Sequence, residues 1–222
     1  MPLASRIKFA AVLWTCAAVP ALAGTLRVHV GEPGGGAIAD AVVALYGDDL
    51  PPLSGVAHAI MDQRDKRFVP HVLAVRQNTL VSFPNSDDIR HQVYSFSPAK
   101  RFELPLYHGT PAKPVLFDKA GEVALGCNIH DHMVGFIYVV DTPYFAKTGA
   151  DGNAVIVNVV PGSYRARLWF PGIEADAAAR ETPVTVAGAT SELVITAVVP
   201  PPPEPAPVSD LQRLFERGGD DR

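Results

Sequence analysis

The stretch from Cys127 to Met133 places a thiol (Cys127), two imidazoles (His130 and His132) and a thioether (Met133) within a few residues of each other. Thiolate, imidazole and thioether are the donors that soft and borderline metal ions select. The spacing Cys127-x-x-His130-x-x-Met133 repeats every third residue, so a tight loop can turn all three toward one point. Nothing elsewhere competes as a reaction centre. No Ser-His-Asp arrangement, no carboxylate pair in an apolar setting and no glycine-rich phosphate loop occurs. The chain is expected to be no enzyme.

Cysteine arithmetic sharpens this. The 222 residues contain two cysteines, Cys16 and Cys127. Arg6 and Lys8 precede an apolar run from Phe9 that ends in Ala21-Leu22-Ala23. That is the pattern of a cleavable secretory signal peptide, residues 1–23, with cleavage after Ala23. Cys16 would leave with it, so the mature chain has one thiol and no internal disulfide in an oxidising compartment. The expected location is periplasmic or secreted. No later segment is apolar for long enough to span a bilayer. The net charge of −4 gives nucleic acid no electrostatic hold.

The elements around the cluster read as short strands. His71–Val75 leads through the turn Arg76-Gln77-Asn78-Thr79 into Leu80–Phe83, with Asn78 suited to a left-handed position. Pro84–Asp88 reads as a solvated loop and His91–Phe96 as a strand. Pro114–Phe117, Glu122–Cys127 and the apolar run Val134–Val140 follow. Phe83, Phe96, Phe117 and Phe136 have the parity of core residues. Cys127 then ends one strand, Val134 opens the next, and the fourth donor comes from His91 at the start of its own strand.

One thiolate, two imidazoles and a weak thioether make up the trigonal site of a type 1, or blue, copper centre. Zinc sites are often richer in thiolate than a single cysteine allows. Such a site passes one electron and leaves no obvious position for a substrate. His132 is a competing imidazole, read as a solvent-exposed loop residue.

Val81-x-Phe83-x-Asn85, then His91, then Cys127-x-x-His130-x-x-Met133 resemble the cupredoxins, the plastocyanin, amicyanin and pseudoazurin type of copper protein. The resemblance runs from about Ala57 to Asp141. It implies that His91, Cys127, His130 and Met133 are the copper ligands. It also implies electron donors and acceptors among periplasmic redox proteins, with His130 at the exposed edge of the metal. Two positions depart from the family. Gln92 stands where an Asn commonly pins the two ligand loops together, and Asp131 where Pro often follows the loop His.

The flanks carry strand–turn–strand text with Gly34-Gly35-Gly36, Asp151-Gly152 and Pro161-Gly162-Ser163-Tyr164. They resemble the carboxypeptidase regulatory, or transthyretin-like, sandwich. The expected fold is all-β, a cupredoxin Greek-key sandwich (51–141) inserted in or joined to that second sandwich (24–50 plus 142–199). A proline-rich spacer and short tail (200–222) close the chain. The whole arrangement resembles proteins often named methylamine utilization protein. Two competing functions are a copper carrier or sensor without redox turnover, and a structural β protein whose cupredoxin domain is empty.

Overall fold

The computed structural model describes residues 23–111, 113–130, 132–174 and 179–201. Residues 1–22, which hold nearly all of the expected signal peptide (1–23), and the segment beyond Pro201 lie outside the described residues. The chain is all-β, with seventeen strands and no helix among the described residues. No helix there is long and apolar enough to cross a membrane.

The strands form sheets stacked on three apolar clusters. One sheet has the order β14 (Asn153–Val159), β1 (Gly24–Gly31), β17 (Thr190–Thr196). A second has β13 (Phe145–Lys147), β2 (Val42–Tyr46), β15 (Gly162–Trp169), β16 (Glu181–Val186). Between them lies a core built from Leu26, Val28, Val43, Leu45, Ile156, Leu168 and their neighbours. β1 shows how it forms. Leu26, Val28 and Val30 are buried while Arg27 between them is exposed, the period-two alternation of a strand with one solvated face.

The third sheet has the order β6 (Val72–Arg76), β12 (Val134–Val140), β11 (Gly121–Gly126), β8 (His91–Ser95), β9 (Phe102–Tyr107). Opposite it are β10 (Val115–Phe117), β7 (Thr79–Ser82) and β3 (Ala57–Ile60), with the hairpin β4 (Asp62–Arg64)–β5 (Arg67–Val69) at one end. The core here contains Phe68, Val81, Phe83, Phe117, Val123, Leu125, Cys127, Met133 and Ile137. It draws on residues 61–139, whereas the first core draws on residues from both sides of that segment.

A third cluster joins the two halves. Val42 and Ala44 of β2 meet Val72 of β6, Val140 of β12 and Trp169 of β15. This explains why Val42 through Leu45 are all buried: β2 is covered on both faces. Trp169 stacks on Tyr138 with ring centroids 4.4 Å apart and planes 8° from parallel, and its indole N–H donates to Glu122 at 3.0 Å.

Asn78 takes the left-handed conformation expected of it, at φ 66°. Phe83 and Phe117 are core residues, but Phe96 is 73% exposed. The reason is parity: His91, Val93 and Ser95 point inward, so the even positions face outward, and Phe96 packs on Tyr94 at 5.2 Å. β9 carries no strand signal in the sequence because Pro105 interrupts it. As an edge strand it tolerates a residue that cannot donate to a ladder.

Trp169 is 4% exposed and touches both halves. Trp169→Ala is expected to cost about 3–5 kcal/mol in urea unfolding followed by circular dichroism. A loss of only about 0.5 kcal/mol, the scale of a surface substitution, would show that the two halves do not depend on this plate.

Candidate metal centre

Two strand pairings assemble the site. β11 runs antiparallel to β12, with Gly126 opposite Val134, so the loop between them returns directly on itself. β11 also pairs with β8 through Gly126 and Tyr94, which sets the segment carrying His91 beside the one carrying Cys127. The contact is close: a Cβ on Gly126 would sit 2.6 Å from the tip of the Tyr94 ring, which would have to shift to make room. Within the loop, the His130 N–H donates to the Cys127 carbonyl at 3.4 Å and the Met133 N–H to the His130 carbonyl at 2.9 Å. These successive three-residue turns are what a Cys-x-x-His-x-x-Met spacing needs.

His91 is fully buried, and the free Cys127 thiol nearly so. The Cys127 Sγ lies 3.9 Å from His91 Nδ1. One donor atom from each of His91, Cys127 and His130 falls within 4.8 Å of the other two. The rings of His91 and His130 are 5.1 Å apart, centroid to centroid. Met133 is 1% exposed in the same apolar cluster as Cys127. His132 is exposed, its ring 5.9 Å from that of His130 and outside the three-residue group.

The protonation pattern suits an ion. His91 Nε2 is 2.7 Å from Asp87 Oδ2, so this nitrogen carries the proton and Nδ1 presents its lone pair toward Cys127. His130 Nδ1 is buried and has no hydrogen-bond partner. Burial lowers the His130 pKa, helped by the neighbouring His91, Lys66 and His132 and opposed by Asp87. A neutral imidazole is the ligating form. A buried nitrogen without a partner beside a thiol and a second lone pair is the fit expected of a metal-binding donor set.

Asp87 is the main residue that sequence reasoning missed. It is no solvated loop residue. Its carboxylate accepts from the Asp65 N–H at 2.7 Å and the Lys66 N–H at 2.9 Å, besides holding His91. Burial pushes its pKa up, but these hydrogen bonds outweigh that and hold it below the ordinary carboxylate range. The only hint in the sequence is its position four residues before His91. Asn85 fixes the same loop, donating to the carbonyls of Ile89 at 2.8 Å and Tyr107 at 3.0 Å.

Gln92 resolves one of the departures from the cupredoxin pattern. Its Oε1 accepts from Asn128 Nδ2 at 2.7 Å, and its Nε2 donates to Glu103 at 2.6 Å. The residue after His91 is thus tied to the residue after Cys127. The longer Gln side chain makes the bridge with an asparagine on the other side.

Residues 134–193 match the family described as polysaccharide lyase family 4, domain II. No curated protein matches the chain. Among solved structures, the chain is similar to a copper-containing nitrite reductase from Thermus scotoductus SA-01 at 25% identity and a TM-score of 0.36. That match covers 43% of this chain and spans about a quarter (24%) of the other. A purple cupredoxin from Nitrosopumilus maritimus is similar at 21% identity over 38% of this chain and 99% of that one, with a TM-score of 0.33. An oxidized amicyanin mutant is similar at 20% identity over 36% and 80% of the two chains, with a TM-score of 0.33.

Asp87→Ala leaves two backbone N–H groups and His91 without their acceptor. It is expected to lower stability by about 1–3 kcal/mol, measured by urea unfolding of the metal-free protein. Unchanged stability would mean that the carboxylate does not organise this loop.

Proposed function

We propose that this chain is an exported type 1 copper protein that carries single electrons between redox proteins of the periplasm. In this reading His91, Cys127, His130 and Met133 are the ligands, and residues 1–23 are a cleaved leader. Residues 51–141 form the copper-binding unit, carried on a second sandwich made of residues 24–50 and 142–199. The observation that carries the reading is the meeting of one thiol and two imidazole nitrogens within 4.8 Å, where His130 Nδ1 has no other partner.

A copper ion held by these donors would supply one-electron chemistry, cycling between the cuprous and cupric states. The protein's part is to hold the donors still. Asp87 keeps the proton on His91 Nε2, so Nδ1 stays available without a change of tautomer. The Gln92–Asn128 bridge and the buried setting of Cys127 keep the two donor segments in register and exclude water. His130 is partly exposed while its Nδ1 is buried, so its ring spans from the donor group to the surface. Ile129 and Val134, 47% and 41% exposed, flank the loop and suit brief apolar docking of a donor or acceptor protein. A copper ion held there would exchange single electrons with partner proteins at that edge, with the His130 ring and the Ile129 and Val134 side chains forming the contact.

A second reading, a copper carrier or sensor without redox turnover, draws on the exposed His132 ring 5.9 Å from that of His130, available as an extra nitrogen donor.

Loading the purified protein with cupric ion distinguishes the two. Electron carriage predicts an intense visible absorption from the thiolate and a reversible one-electron couple. Weak colour without a reversible couple supports the carrier. Cys127→Ser is expected to abolish the band with the far-ultraviolet circular dichroism unchanged; a variant that stays intensely coloured removes Cys127 from the ligand set.

A further inference from the structure

A groove of about 580 Å³ lies along the free edge of β17. Val194, Ala197 and Val198 contribute from β17 and the residues after it, and Leu168 and Ile173 from the end of β15 and the turn beyond. Glu174 and Arg180 bring one charge of each sign. None of these residues belongs to the donor group. Val194 and Val198 are 68% and 71% exposed. β17 pairs with β1 on one side, and its other side has no strand among the described residues. A bare strand edge beside apolar side chains is a template for another segment of chain, and proteins either charge it or cover it. The one charge in the strand, Glu192, is not among the groove residues. This edge therefore calls for a cover.

The course of the chain supplies one. Pro200 and Pro201 are the last described residues and themselves line the groove. The sequence continues through Pro202-Pro203-Glu204-Pro205-Ala206-Pro207. A polyproline-type spacer of that length reaches at most about 19 Å, so the residues after it stay close to the groove. Those residues run from Val208 to Arg217, with Leu211, Leu214 and Phe215 set among Asp210, Arg213, Glu216 and Arg217. The i, i+3, i+4 spacing lets the three apolar side chains be buried together. Asp210 and Arg213 are opposite in sign to Arg180 and Glu174 on the groove.

We propose that residues 208–217 turn back on the same molecule and occupy this groove, with Leu211, Leu214 and Phe215 against Ile173, Val194 and Val198. The copper reading plays no part in this. A short tether holds the segment at a local concentration on the order of millimolar. At that concentration a contact with an affinity of only about 0.1 mM fills the groove about nine-tenths of the time. The edge of β17 is then covered by the chain itself, and a second molecule has to displace the segment to reach it.

Hydrogen exchange followed by mass spectrometry on the metal-free, full-length protein tests this at two protein concentrations. The wild type is compared with two double variants, Leu211→Asp/Phe215→Asp in the segment and Val194→Asp/Val198→Asp in the groove. In the wild type, exchange of residues 208–217 is expected to be slowed about tenfold relative to a free peptide of the same sequence. Either variant should remove that protection, and the segment variant should also speed exchange in residues 194–198. Should the groove variant fail to fold, that loss of protection at 194–198 in the segment variant decides. Wild-type residues 208–217 exchanging at the free-peptide rate overturn the proposal, as does protection that survives in the groove variant. Protection that disappears on dilution places the segment in the groove of another molecule and overturns docking within one chain.

Discussion

Cys127 and His91 are far apart in the chain, and their donor atoms come within 3.9 Å because β8 and β11 lie side by side. Everything else at this end of the fold follows from that adjacency. It brings the Tyr94 ring tip against the bare Gly126 backbone. It also needs the Val134 end of β12 to pair back onto Gly126, which closes the loop and delivers His130 to the same point. A thiol, an imidazole lone pair and an unpartnered imidazole nitrogen are then packed together below the surface. Such a group is costly to bury empty and favourable to bury around a cation.

Around the donors the polar groups form a supporting shell. Asp87 links the β4–β5 turn to His91, Asn85 links its loop to Tyr107, and Gln92 links the two donor segments. Each fixes a donor's position before any ion arrives. For a site that exchanges electrons, this matters more than affinity, because ligands that stay in place between oxidation states leave less rearrangement to accompany transfer. The pair of sheets built around β1 and β2 contributes no residue to the three-residue donor group. It buries one face of β12 and β6 through Val42, Ala44 and Trp169, which stiffens the sheet that carries the loop.

Much of this was legible in the residues. The Cys-x-x-His-x-x-Met spacing is local, so the turn that gathers Cys127 and His130 could be read directly, and His91 at a strand start was the natural complement. The all-β class followed from short alternating runs and turn residues, Asn78 among them. What escaped was set by contacts between distant segments. Asp87 looked like solvated loop because its partners, Asp65 and Lys66, lie on another hairpin. Phe96 was placed inside because a strand's inward face cannot be chosen from parity without a reference side chain. The Gln92–Asn128 partnership carried no pattern at all, since a hydrogen bond between two polar residues in distant segments leaves no periodic trace.

The most direct measurement is X-ray absorption at the copper edge on protein loaded with one equivalent of copper. The account predicts a first coordination shell with one short sulfur scatterer and two nitrogen scatterers showing the outer-shell pattern of imidazole rings. A shell of nitrogen and oxygen alone, without the short sulfur, would contradict it.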